Sequence, residues 1–233
     1  MDGIRERVLS WSQSLPEKVS VGGLLSRCPI AHKWKASFRS ILIRESSLWR
    51  MSDLGNSFVQ LIDSGNVLAS RIVLRSACET AALLAYLNKK TSDLIDRNIT
   101  IEDFDTLTKI LLLGGRNDGD YVAPVNVMTA ITHFAKEFPE ILDIYNRLSE
   151  DAHPNASGMI YAYSESNPLD FETHFTPKIA NSAITMEHTI ASADLAFYCY
   201  EEQYNLFWPQ RFEALEQWLR DNDAELEGHR NGT

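Results

Sequence analysis

Five residues separate Arg147 from His153 in the run Asp143-Ile144-Tyr145-Asn146-Arg147-Leu148-Ser149-Glu150-Asp151-Ala152-His153-Pro154-Asn155. A guanidinium can hold a phosphate by paired, charge-assisted hydrogen bonds, and an imidazole can pass protons near neutral pH. Pro154 disfavours helical backbone at the residue before it, so His153 should end its helix. Tyr145, Ser149 and His153 follow one another at intervals of four and would share a helix face, with Arg147 on another. From spacing alone a purely structural account comes first. His153 can cap the last carbonyls, and Arg147 can pair with Asp143, four residues earlier.

Arg71, Arg75 and Glu79 repeat the interval of four inside the most apolar helical stretch of the chain. Charges in such a helix need partners or a cavity. Arg75 and Glu79 could simply pair. They could also line a pocket together with Tyr145, Ser149 and His153. A third group lies between His32 and Arg50. There Lys33, Lys35, Arg39, Arg44 and Arg50 meet one acid, Glu45, with Trp34 and Trp49 interleaved. Such a stretch could follow an RNA backbone and stack a base, or be a solvated helix face with its indoles turned inward.

The run Tyr145-x3-Ser149-Glu150-x2-His153-Pro154-Asn155, followed by Gly158, resembles the signature of a widespread bacterial family of uncharacterised helical proteins. Arg71-x3-Arg75-x2-Cys78-Glu79 resembles that family's upstream helix. The similarity spans roughly residues 40–160, and its specific part is the His153 segment. Such proteins are associated with the HEPN superfamily, small helical proteins of which many carry an Arg-x4–6-His motif. The resemblance implies a metal-independent endoribonuclease of a toxin or defence system, acting as a homodimer. Arg147 and His153 would be catalytic, with Arg75, Glu79, Tyr145, Ser149 and Asn155 in support. The superfamily's usual polar residue after the arginine is replaced here by Leu148, and Asn146 precedes the arginine instead. Because some members are non-catalytic, the alternative implied is a helical module that binds a protein partner or small ligand.

The elements that must position these residues are helices. Apolar spacing predicts helices over 2–15, 30–63, 67–88, 101–113, 125–137 and 140–152. Residues 153–176 lose that spacing and read as an irregular loop or small hairpin, with Met159 to Tyr163 as a short strand or plain loop. Thr176-Pro177 should open a long helix. Its seam would be Ile179, Met186, Ala193, Tyr200 and Phe207, alternating with Ala183, Ile190, Phe197 and Tyr204. A repeat of seven can bury itself within a chain or between two. Pro209 should start a last helix, and the end from Asp221 should fray. The expected fold is therefore an all-α bundle of long antiparallel helices. Residues 1–28 would form an arm, 29–208 the bundle, and 209–233 a final helix with an acidic tail.

Composition narrows the function classes. The 233 residues are 44% apolar with a net charge of −10, so any contact with nucleic acid needs a local basic patch. Cys28, Cys78 and Cys199 include no CxxC pair, which argues against a disulfide scaffold or cysteine-based zinc site. The first residues lack the apolar run of a signal peptide, and no stretch is long enough for a membrane span, so a cytoplasmic location is expected. Glu150-x2-His153 has no second Glu-x2-His to complete a di-metal site. Asn117-Asp118-Gly119-Asp120 lacks the flanking carboxylates of a calcium loop and reads as a turn. No metal or cofactor is expected.

Overall fold

The computed structural model describes residues 1–115 and 123–231, so the Asn117–Asp120 turn lies outside the described residues. The helices are α1 (Asp2–Gln13), α2 (Val21–Arg27), α3 (Lys35–Asp63), α4 (Val67–Ile95), α5 (Ile101–Leu113), α6 (Val127–Phe134) and α7 (Glu140–Ala152). A π turn (Ala156–Tyr161) and an antiparallel hairpin, β1 (Ser164–Asn167) with β2 (Glu172–Phe175), come after α7. The chain then forms α8 (Lys178–Asn181), α9 (Ala183–Glu201), a second π segment (Glu202–Phe207) and α10 (Trp208–Asn231). The fold is an all-α antiparallel bundle with one small hairpin. No helix of the described residues is long and apolar enough to cross a membrane.

The α4 helix lies at the centre because its sequence is apolar nearly all round. It packs against α3, α5, α6, α7, α9 and α10. Its Ala77, Ala81 and Ala82 are almost completely buried, and their small side chains let these neighbours approach closely. A tight stop separates α3 from α4. Gly65 adopts φ 72°, the Asn66 N–H reaches the Leu61 carbonyl at 2.8 Å, and the Gly65 N–H reaches that of Ile62 at 3.0 Å. Glycine takes the left-handed conformation without a Cβ penalty. Asn66 then caps α4 by accepting from the Ala69 N–H. A reciprocal Thr100–Asp103 capping box starts α5. The hydrogen bond from the Thr100 backbone holds the Asp103 carboxyl below the usual carboxylate range.

Several local expectations change. The residues before α3 form only a short 3-10 turn (Ala31–Lys33), and α4 runs on to Ile95. Ser182 breaks the helix expected from Pro177, since its hydroxyl caps α9 at Thr185 and leaves α8 as a single turn. Past Asp221, expected to fray, the chain stays helical to Asn231. Pro209 does not start a separate helix either. Lacking an N–H for the carbonyl four residues back, it comes just after a π segment through which α9 and α10 are continuous.

The seam of α9 buries itself within the chain over its second half. Ala193, Phe197, Tyr200 and Tyr204 are buried. Phe197 meets the rings of Trp11 and Phe58 edge-on at 5.2 and 5.9 Å. The first half is more open, with Ile179, Met186 and Ile190 partly buried and Ala183 exposed. The α1 helix is docked on the body. Ile4, Val8 and Trp11 join the common core. The Trp11 indole N–H donates to Glu201 at 2.9 Å, and Arg7 pairs with Glu201 and Asp194. Gly55 makes room on α3, because a Cβ there would lie 2.7 Å from Val8 Cγ2.

Candidate phosphate cleft beside helix α7

The α4–α7 contact gathers four of the residues singled out in the sequence. Arg75 Nε donates to Ser149 Oγ at 3.1 Å, and its Nη2 donates to the Tyr145 hydroxyl at 3.1 Å. That hydroxyl donates to Glu79 Oε1 at 3.0 Å, and Arg75 pairs with the same oxygen at 3.1 Å. The intervals of four on both helices bring these groups face to face. The cluster satisfies itself, so it is a brace between two helices. Tyr145→Phe removes two hydrogen bonds to charged, partly exposed groups and should lower stability by about 1–3 kcal/mol, as read from urea unfolding.

One turn away, Arg71 is only 9% exposed. Its Nε pairs with Asp151, and its Nη1 donates to Thr189 Oγ1 at 2.9 Å. This knot ties α4 to α7 and α9.

His153 ends α7 in extended backbone, φ −87° and ψ 143°, as Pro154 requires. Its side chain is exposed, and among the described residues it shares no hydrogen bond with Tyr145 or Ser149. Asn155 holds the turn after α7 in shape. Its Oδ1 accepts from the Gly158 N–H at 3.0 Å, and its Nδ2 donates to Glu150 at 2.7 Å. Gly158 rests on carbonyls at the end of α7. A Cβ on it would lie 2.2 Å from the His153 oxygen and 2.7 Å from that of Asp151. Both are backbone atoms and cannot swing aside. Gly158→Ala should cost about 1–3 kcal/mol, the range for overpacking, and lower the thermal midpoint.

Arg147 turns to the opposite side of α7. Among the described residues it forms no ion pair with Asp143. It opens into a cavity of about 110 Å³ between α7 and α9, lined by Arg71, Ile144, Arg147, Leu148, Thr185, His188 and Ser192. A second cavity of about 380 Å³ shares Arg71 and Thr185 and adds Asp151, Ser157, Tyr161, Lys178 and Ser182 among its walls. Thr185, His188 and Ser192 recur at three and seven residues, one face of α9. That spacing was readable in the sequence, but apolar residues of the heptad seam interleave with it.

The basic stretch is largely occupied inside the fold. Lys33 pairs with Asp223 and Glu227, Arg39 with Asp105, and Arg44 with Glu45. The Arg44 guanidinium also lies 3.7 Å from the centre of the Tyr204 ring and 4.7 Å from that of Trp208. Lys35 is exposed. The Trp49 indole donates to the Pro16 carbonyl, and Trp34 packs against the core.

Burial pushes the Cys78 and Cys199 thiols up to about 12, leaving both protonated at neutral pH.

Compared with known protein families, with curated proteins and with solved structures, this chain matches none.

Proposed function

We propose that this chain is a HEPN-like, RNA-acting protein that cleaves RNA without a metal, with the groove between α7 and α9 as its substrate face. The observation that carries this reading is the placement of Arg147. In a chain of net charge −10, it opens into a small cavity whose described walls hold two arginines, a histidine and two hydroxyl side chains, and no carboxylate. A cavity of that composition suits an oxyanion. The ribose 2′-hydroxyl would be the nucleophile. Arg147 would hold the scissile phosphate, and His153, at the end of the same helix, would move the proton. In a homodimer, two Arg147–His153 pairs would share the acid and base roles. The test is incubation of labelled structured RNA in chelator with wild type and with folded His153→Ala. Cleavage by wild type alone is expected, and equal cleavage by both would remove His153 from the mechanism.

A non-catalytic assembly module is the second reading, and the hairpin favours it. Leu169, Phe171 and Phe175 are 87%, 95% and 75% exposed, and exposed apolar clusters mark contact surfaces. Folded wild type that leaves RNA intact under all conditions would turn the preference to this reading.

A further inference from the structure

We propose that the two adjoining cavities form one nucleotide site, with the phosphate held by Arg147 and His188 and the base lying against Tyr161. The proposal deepens the RNA reading and rests on it for choosing a nucleotide over a bare oxyanion.

Charge decides where the phosphate goes. Arg71 is spent on Asp151 and Thr189, so the spare positive charge of the small cavity comes from Arg147 and from His188 when protonated. Glu187, next to His188 in sequence, lines a different cavity on the α1 side, so its carboxylate is turned away. In the wall of the larger cavity Asp151 offsets Arg71, and Lys178 is held by the Ser164 carbonyl, so less spare positive charge faces an anion there. Volume agrees with charge. About 110 Å³ has room for roughly three or four waters, enough for a phosphate group and too little for a nucleoside. The larger cavity, about 380 Å³, falls in the range of small-molecule sites. Tyr161 in its wall is 70% exposed, which leaves ring surface for stacking. Thr185, shared by both cavities, stands where phosphate and sugar would join.

The test is nuclear magnetic resonance titration of the full chain with inorganic phosphate and with adenosine 5′-monophosphate. It tracks the His188 ring resonances in wild type and Tyr161→Ala, and the backbone amides of α9 in these and in His188→Gln. Both substituted side chains are exposed, and unchanged melting curves confirm that the variants fold. Both ligands should move the His188 resonances. The nucleotide should bind about tenfold more tightly than phosphate, within the range for one base on an aromatic ring. His188→Gln should weaken both ligands, as read on backbone amides of α9. Tyr161→Ala should weaken the nucleotide alone, to the level of phosphate. Static His188 resonances at millimolar phosphate would overturn the site, as would a Tyr161→Ala variant that binds the nucleotide like wild type. Uncut RNA with these titrations as expected would remove the cleavage reading and keep the nucleotide site. Cut RNA with no nucleotide bound here would do the reverse.

Discussion

Arg71→Leu should destabilise the protein by about 3–5 kcal/mol, the cost of breaking a buried ion pair from one side. Arg71 and Asp151 have side chains only 11% and 15% exposed. Removing the guanidinium strands a carboxylate at the meeting of three helices and takes a donor from buried Thr189. The cost would come from that stranded charge more than from the lost attraction, so the double variant Arg71→Leu, Asp151→Leu should recover much of the stability. Denaturant unfolding reads this as a midpoint shift at constant slope. Equal loss in the single and double variants would mean that Arg71 matters for packing and not for the pair. The Arg75–Glu79 pair is a useful contrast. Its side chains are 29% and 25% exposed, so water screens it better and Glu79→Gln should be milder.

On the proposed reading, Arg147→Ala should lower RNA cleavage at least about a hundredfold, the scale for losing one preorganised group that stabilises transition-state charge. Arg147→Lys should restore little of it. Lysine offers a point charge where arginine offers a planar fork matched to two phosphate oxygens. Stability should barely change in either variant, because the Arg147 side chain is exposed and, among the described residues, makes no hydrogen bond or ion pair. Single-turnover cleavage and urea unfolding of the same preparations separate the two effects. Cleavage unchanged in Arg147→Ala would remove the small cavity from the reaction.

That Arg75 and Glu79 could meet Tyr145 and Ser149 was legible in the sequence, where His153 was expected beside them, because both sides of the contact are local. Arg75 and Glu79 share one helix face, and Tyr145 and Ser149 share another. Whether the cluster holds itself or a ligand stayed open, since spacing does not count hydrogen bonds. Long-range partners were not legible. Lys33 reads as a free cation until Asp223 and Glu227, about 190 residues on, are laid beside it. His188 was hidden for a related reason. The heptad seam organises α9 around Phe197 and Tyr200, and the polar face at Thr185, His188 and Ser192 gains meaning only opposite Arg147. The break at Ser182 rests on one hydroxyl capping Thr185 in place of another helical turn, too fine a balance for periodicity to reveal. Gly158 stood out by position alone; its reason is the pair of carbonyls beneath it.

The most direct measurement is the signal of the Arg147 side-chain Nε–H in nitrogen-15-labelled protein, assigned with Arg147→Lys, during titration with a short single-stranded RNA in chelator. A shift of that signal that saturates together with RNA binding is the predicted result. RNA binding with the Arg147 signal unmoved would place the nucleic acid elsewhere and contradict the account.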